Sequence, residues 1–393
     1  MRVRVETILE VVDFPYKLFY SSFRIKQLAK VHNFRYPIFM KIFSGIRPSG
    51  KLHLGNYLGA IKNWVELQHG ADQAIYAVVD YHGITTPYDP QTYQDQVMSA
   101  VTDFLAAGID PAKSLLIRQS KVPQHTELAW LFNTITPVGW LDRLPNYKEK
   151  VKQVEEATLN IETRPVQNEG LEIALTQNRA KSYQNNLALL AYPVLMAADI
   201  LVYKSNMVPV GEDQLVHIDV TNEIAKKFNH LFPGRTGGET FEPVKPKITD
   251  GARIMSLQNA TQKMSKTGDD GIALSDDADT IRGKIKRAVT DSEKEVRFDE
   301  ARKPAISNLI TIYSLLSGEQ VGEIETIYAG KSYVNFKNDL AEVVVNFLKP
   351  IQDKYQQLKA DPGYVMDVLR KSEEKARLIA STNLADIKAR MGV

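Results

Sequence analysis

From residue 38 to about residue 135, short apolar runs alternate with stretches of helical period, and this alternation limits the possible folds more than any other feature of the chain. Residues 38–43 form an apolar run that leads into a glycine-rich loop, Ser44-Gly45-Ile46-Arg47-Pro48-Ser49-Gly50. A helix follows, with Leu54, Leu58, Ile61 and Val65 on one face, until His69-Gly70 stops it. A second apolar run, residues 74–79, ends in Asp80-Tyr81-His82-Gly83 and gives way to a helix that starts at Gln91, carries Val97, Val101, Phe104 and Leu105, and ends at Gly108. A third strand around residues 114–117 precedes a helix bearing Leu128, Leu131, Phe132 and Ile135. Strands alternating with helices predict a parallel sheet with helices on both faces, in which ligands sit beyond the C-terminal ends of the strands.

Residues 148–186 break this order: they are rich in Gln, Asn, Glu and Lys, lack periodicity, and read as an insertion or exposed loop. Regular pattern resumes with a helix over residues 187–202 that contains Tyr192-Pro193, a strand over 207–210, and Gly211-Glu212-Asp213-Gln214 opening a further helix. Beyond residue 275 the chain becomes helical, with segments near 306–316 and 340–358 and a last helix opened by Asp361-Pro362 as cap and first residue. The expected organisation is therefore an α/β, Rossmann-like domain over 42–275, followed by an α-helical domain over 276–393. Arg370, Lys371, Lys375, Arg377, Lys388 and Arg390 make the last helix a candidate polyanion-facing surface, and equally a solvated face, because Glu373, Glu374 and Asp386 interleave with them.

Composition narrows the function classes. The absence of cysteine from all 393 residues removes disulfides, thiolate zinc sites and thiol nucleophiles. The seven histidines include no metal-binding pair at helical spacing. No apolar run approaches the roughly 18 residues that a membrane-spanning helix needs, so no membrane role is expected. Charge is uneven: residues 1–41 hold eight Lys/Arg against three Asp/Glu, a local +5, and the remainder holds 41 against 44. With Ser21-Ser22 and several Phe and Tyr, these first 41 residues have the composition of an organelle transit peptide directed to the mitochondrial matrix. The other reading of them is an extra N-terminal helix or a misassigned start, with a cytoplasmic protein as the alternative.

Four stretches carry chemistry. His53-Leu54-Gly55-Asn56 sits where the first loop enters its helix, and a helix start offers backbone N–H groups and the positive end of the macrodipole to polyphosphate. Asp199 lies in the apolar run Pro193-Val194-Leu195-Met196-Ala197-Ala198-Asp199-Ile200-Leu201-Val202, where an unpaired carboxylate would cost several kcal/mol. Tyr192, Met196 and Asp199 fall on one helix face, an aromatic and thioether wall with an acceptor set into it. That wall suits a flat ring bearing one N–H; an internal Arg, Lys or backbone donor to Asp199 is the competing reading. Gly211-Glu212-Asp213-Gln214 is either a ligand-contacting turn or an ordinary acidic helix start. Lys263-Met264-Ser265-Lys266-Thr267, followed by Gly268-Asp269-Asp270-Gly271, is either a mobile polyanion-binding loop or a solvated turn.

Taken in order, residues 44–56, Asp80 to His82, Met196 to Asp199, Val208 to Gln214, Ala252 to Ser256 and Lys263 to Thr267 resemble the tryptophanyl-tRNA synthetases of class I, of the bacterial and mitochondrial type, and the likeness runs from about Lys41 to Val393. The resemblance implies ATP as substrate with Mg²⁺, L-tryptophan and tRNA(Trp) as partners, and a homodimer. It implies that His53 and Asn56, with Lys263 and Lys266, serve catalysis. ATP would be contacted by Arg47, Pro48, Ser49, Gly55, Asn56, Gly211, Glu212, Asp213, Ile254, Lys263, Met264, Ser265, Lys266 and Thr267. Tryptophan would be held by Asp199, accepting the indole N–H, with Tyr192, Met196, Val208, Val210, His82 and Gln214. The chain departs from the family's pattern at Arg47, where many bacterial members carry Gln, at Leu144-Pro145-Asn146 in place of Met-Thr-Gln, and at Thr267 in place of Ser. A tyrosyl enzyme, a small adenylyltransferase and an inactive synthetase acting as an RNA-binding partner are the rival readings.

Overall fold

The computed structural model describes residues 39–393 except 49, 87, 146, 149–150, 152–185, 235–236, 249–253, 265–269 and 294. Most of the 1–41 extension, nearly all of the 148–186 insertion, Asn146, Ser49, Ser265, Lys266 and Thr267 thus lie outside the described residues.

Five strands, β1 (Lys41–Ile46), β2 (Gln73–Val78), β3 (Leu115–Arg118), β4 (Met207–Val210) and β5 (Lys245–Ile248), form one sheet in the order β3-β2-β1-β4-β5. Every pairing is parallel, with Ile42 opposite both Ala74 and Met207. The sequence implies this arrangement because β1 and β2 are apolar on both sides. Ile42, Ala74, Tyr76 and Val78 enter one core, while Phe43, Ile75 and Ala77 enter the other. A strand that alternates between two buried faces needs helices above and below it.

The order reverses at β1, which has β2 on one edge and β4 on the other. At such a switch point the two connections leave in opposite directions and open a crevice beyond the carboxyl ends of the strands.

Two strands differ from the sequence expectation. β1 runs through Ser44 and Gly45, which read as loop. Glycine is required there by packing, since a Cβ on Gly45 would stand 2.6 Å from Val79 Cγ1. β5, Lys-Pro-Lys-Ile, carries no apolar run and was not expected. It is an edge strand, half exposed along its length, where a proline costs no ladder bond on the open side.

The helices within the sheet layer begin with a single turn, α1 (Leu54–Asn56), that continues through a π-helical stretch, Tyr57–Ile61, into α2 (Lys62–Leu67). There follow α3 (Asp80–Gly83), α4 (Tyr93–Ala106), α5 (Gln124–Asn133), α6 (Val138–Asp142), α7 (Leu187–Leu201) and α8 (Leu215–Leu231). Asn186 caps α7 through its side chain, Leu189 N–H donating to Oδ1 at 2.9 Å.

The helical part comprises α9 (Ala278–Arg287), α10 (Pro304–Ser317), α11 (Val321–Ile327), α12 (Tyr333–Ala360) and α13 (Pro362–Met391). Asp361 caps α13, accepting from Tyr364 N at 3.0 Å, with Pro362 in the first turn as the sequence indicated.

The apolar core continues across residue 275: Ile272, Leu274, Ile281, Ile285, Ile306 and Leu340 share the cluster that holds Ile42 and Leu54. On the opposite side, Ala376, Ala380, Leu384 and Ile387 of α13 join the cluster that holds Phe43 and Ile117.

The last helix thus packs back onto the sheet. Its basic residues are largely paired with acids: Arg370 and Lys371 with Asp367, Lys388 with Glu127, and Arg390 with Asp386. That pattern is the solvated-face reading of α13 more than an open cationic surface.

One ion pair ties α13 to β3. Arg118 Nε and Nη2 donate to the two carboxylate oxygens of Glu373 at 2.7 and 3.0 Å, and both side chains are buried. Removing one partner of a buried pair strands the other charge without solvent. Arg118→Met or Glu373→Gln should each lower stability by about 3–5 kcal/mol, whereas Arg118→Met combined with Glu373→Leu should cost less. Urea unfolding measures this, and a double variant as unstable as the sum of the singles would contradict the coupling.

Candidate active site

The crevice at the switch point contains a cavity of about 480 Å³. The end of β1 contributes Phe43 to Arg47, and the end of β4 contributes Val208 to Gly211, with Asp213 and Gln214 from the turn that follows. Tyr192, Met196, Asp199, His82, Thr85 and His217 complete the wall. The structure therefore brings Tyr192, Met196, Asp199, Val208, Val210, His82 and Gln214 into one pocket with Arg47, Gly211 and Asp213.

Helix α7 sets the wall. Tyr192, Met196 and Asp199 share a face, as the spacing required, and its polar N-cap holds an otherwise apolar helix in register. Tyr192 is buried and its hydroxyl lies 3.1 Å from His217 Nε2. Burial pushes the Tyr192 hydroxyl up to about 12, so it stays neutral near pH 7.

Asp199 is 1 % exposed. Gln119 Nε2 lies 2.7 and 2.9 Å from its two oxygens, His125 Nδ1 lies 2.6 Å from Oδ1, and His82 Nε2 lies 2.8 Å from Oδ2. Both sequence readings of this residue meet here, since it faces the cavity and also has internal partners. Those partners are an amide and two imidazoles, not the Arg, Lys or backbone donor considered from sequence. Gln119 spans both oxygens, so these three groups make four contacts to a carboxylate with about four lone-pair sites, and a donor arriving from the cavity would share an oxygen with one of them. Burial opposes ionisation of Asp199, but the adjacent His125 and His82 outweigh it and hold the carboxyl below the usual carboxylate range.

The nucleotide half is built around α1. His53 is buried at the helix start, and its N–H donates to Asn56 Oδ1 at 3.3 Å. Leu54 N–H donates to Ile272 O at 2.8 Å, so the turn is a less open phosphate site than a bare helix start would be. A Cβ on Gly55 would stand 3.0 Å from His53 Nδ1 and 3.5 Å from Met264 Cβ. The tight neighbour of Gly55 is thus the His53 ring, while Met264 of the lysine loop lies at ordinary van der Waals distance. Pro48 is buried close to Gly83, and Arg47 is exposed at the cavity mouth.

The lysine loop is pinned at both ends. Lys263 pairs with Met255 in an isolated antiparallel bridge, and Met264 N–H donates to Ile254 O at 3.0 Å. Met264 and Ile254 are both buried. On the exit side, Lys284 Nζ donates to Gly271 O at 2.9 Å and Asp276 Oδ2 at 2.8 Å, and Leu274 N–H donates to Leu52 O at 2.9 Å.

Asn308 of α10 clamps the stem, its Oδ1 accepting from Met255 N and its Nδ2 donating to Met255 O. Lys263 Nζ lies 3.9 Å from Asp213 Oδ1, both side chains well exposed, an ion pair of small energy that nonetheless places the lysine across the mouth from the Gly211–Asp213 turn. Glu212 and Asp213 are exposed in a 3₁₀ turn, and Gln214 Nε2 donates to Asp213 Oδ2 at 2.7 Å.

Sequence reasoning missed Gln119, His125 and Thr85, and it weighed His217 only as an ordinary hydrogen-bonded histidine near the site stretches. Gln119 had a usable signal, because it directly follows β3, where a parallel sheet presents its ligand-facing residues. His125 lies inside a helix and carries no local mark.

The depressed ionisation of Asp199 gives a direct test. Its contribution to stability is complete above the ordinary value of 3.8 and is lost only as pH falls through the lower folded one. The stability difference between the chain and its Asp199→Asn variant, from urea unfolding, should stay level down to about pH 4 and shrink below it. A difference already fading near pH 6 would contradict the assignment, since it would report a group other than this carboxylate.

The sequence model of the family described as tRNA synthetases class I (W and Y) matches residues 38–349. The chain is 42% identical over 357 residues to a tryptophan–tRNA ligase of Nostoc, covering 90% of this chain and 97% of that one. It is 42% identical over 358 residues to the tryptophan–tRNA ligase of Bacillus anthracis, covering 90% and 98%. Among solved structures, tryptophanyl-tRNA synthetase from Campylobacter jejuni, complexed with ADP and tryptophan, superposes with a TM-score of 0.71 at 31% identity over 90% of this chain and all of that one. The enzyme from Mycoplasma pneumoniae superposes with a TM-score of 0.74 at 30% identity, covering 91% and 98%. The chain belongs to the class I tRNA synthetases of the W and Y type and, within them, to the tryptophan–tRNA ligases.

Proposed function

We propose that this chain activates L-tryptophan with ATP to the adenylate and transfers the tryptophanyl group to tRNA(Trp). The observation that carries this reading is one cavity with a buried acceptor, Asp199, in an aromatic and thioether wall at one end, and Arg47, Gly211 and Asp213 at the other. Tryptophan fits the first end: a flat ring lies against Tyr192, Met196, Val208 and Val210, its N–H donates to Asp199, and His82 and Gln214 meet its polar atoms. ATP fits the second, over Gly55 and Asn56, with Pro48, Ser49, Glu212 and Ile254 around it. Mg²⁺ enters with the triphosphate as part of that substrate.

The tryptophan carboxylate attacks the α-phosphorus, pyrophosphate leaves, and a terminal ribose hydroxyl of the tRNA then attacks the adenylate carbonyl, forming the ester and releasing AMP and a proton. No protein nucleophile is needed. His53 and Asn56 position the nucleotide, while Lys263 and Lys266, with Met264, Ser265 and Thr267, hold the departing pyrophosphate. Charge of this kind, aimed at a group whose negative charge grows in the transition state, accelerates the step more than it tightens substrate binding. In this reading residues 42–275 perform activation and residues 276–393 meet the tRNA. The compared relatives are bacterial, which supports a cytoplasmic site of action and gives the mitochondrial reading of residues 1–41 no support.

A homodimer is supported by three large apolar side chains exposed on neighbouring helices, Trp130 of α5, Val138 of α6 and Leu187 of α7, which are 70%, 66% and 77% accessible. Sedimentation should give a dimer, and Trp130→Glu should shift it to monomer; a monomeric parent chain would refute this.

ATP–pyrophosphate exchange run with each of the twenty amino acids should respond to tryptophan alone, and exchange with tyrosine in its place would refute the specificity. Lys266→Ala should slow exchange by about 10²–10³-fold with tryptophan binding nearly intact. Asp199→Asn should reduce tryptophan use by about 10–100-fold. Parent-like rates in either variant would count against its assigned role.

A further inference from the structure

We propose that Gln119 and His125, neither of which lines the cavity, are positioning residues that set the discrimination for tryptophan by holding the Asp199 carboxylate in one orientation. The inference rests on the reading of Asp199 as the acceptor for the ligand's ring N–H.

Gln119 and His125 are both fully buried. Gln119 Oε1 accepts from the backbone N–H groups of Tyr81 at 3.1 Å and His82 at 3.4 Å, which fixes the amide and turns its NH₂ toward Asp199. Its nitrogen then stands almost equally far from the two carboxylate oxygens, at 2.7 and 2.9 Å, and so resists rotation of the carboxylate in either sense.

His125 fixes the same group from another side. Its Nδ1 lies 2.6 Å from Asp199 Oδ1, and its Nε2 lies 2.8 Å from the hydroxyl of Tyr203, itself buried and stacked on Phe43. A carboxylate at Nδ1 demands a proton there, and in the tautomer that carries only that proton Nε2 is the acceptor for Tyr203 O–H. Both donors act on the carboxylate from behind. Among the described residues, His82 is the partner of Asp199 that also lines the cavity.

This arrangement separates orientation from contact. A carboxylate free to rotate would still accept hydrogen bonds, but its oxygens would not face a fixed point in the cavity. A pocket discriminates strongly only where a ligand lacking the donor leaves an oriented polar group unpaired. Loss of Gln119 or His125 should therefore harm a substrate with the N–H and spare one without it, whereas a merely structural role would harm both alike.

The test is ATP–pyrophosphate exchange with two substrates, tryptophan and its benzothiophene analogue, in which sulfur replaces the ring N–H. In Gln119→Met, kcat/KM for tryptophan should fall by about 10–100-fold while the analogue changes by no more than about twofold, collapsing the ratio between them. His125→Leu should do the same. His125→Asn, which returns an N–H at the Nδ1 position, should restore the ratio to within about threefold of the parent. Should Gln119→Met fail to fold, the His125 pair reads the same ratio. Equal losses on both substrates, or none on either, would overturn the proposal. Asp199→Asn in parallel isolates the underlying reading: if it leaves the ratio intact, the acceptor assignment falls, and if it alone collapses the ratio, only the positioning role does.

Discussion

Strand β1 is hydrogen-bonded along both edges, to β2 on one side and β4 on the other, and the rest of the molecule depends on that double pairing. A strand in this position has no freedom to slide, because a shift of one residue would move Ile42 and Phe43 into each other's cores. The loop that leaves it is therefore delivered to a fixed point. The same holds for β4, whose ladder with β1 brings Val208 and Val210 to the cavity wall and Gly211 to its rim. Ser44 adds a side-chain bond across this seam, its Oγ donating to Pro209 O at 3.1 Å.

The two halves of the site are coupled by backbone pairing more than by ion pairs. His53 bridges to Ala273, Leu54 N–H donates to Ile272 O, and Leu274 N–H donates to Leu52 O, so the exit of the lysine loop is stitched to the turn it faces. Asn308 holds the entry from the helical side. The charge contact between Lys263 and Asp213, at 3.9 Å and largely in solvent, is weak by comparison. The flanks of the lysine loop are thus held in register with the rest of the site by backbone bonds.

Much of this was legible in the sequence where the signal is local. The apolar runs of β2 and β4 and the helical faces around Leu54 and Val97 follow from burial on both sides of a parallel sheet. Asp199 was legible as an anomaly, a carboxylate in an apolar helix. Its donors were not, because Gln119, His125 and His82 lie 80, 74 and 117 residues away and meet it only when three separate elements close over one point. β5 escaped because an edge strand of two lysines, a proline and one isoleucine has no buried face to announce it. The path of β1 through Gly45 escaped because its glycine answers to the side chain of Val79, a contact invisible without the sheet.

The end of β3 shows how packing far from the cavity bears on it. Arg118 and Gln119 are consecutive and project to different neighbours, the first to Glu373 of α13 and the second to Asp199. The Arg118 backbone N–H also donates to Glu373 Oε1, at 3.3 Å, so the last helix grips the main chain as well as the side chain. A rigid amide at Gln119 needs a rigid backbone beneath it, and at a strand terminus that rigidity cannot come from further ladder bonds. The C-terminal helix provides it, which gives a reason for a charged pair to be kept in a place where apolar packing would be at least as stable.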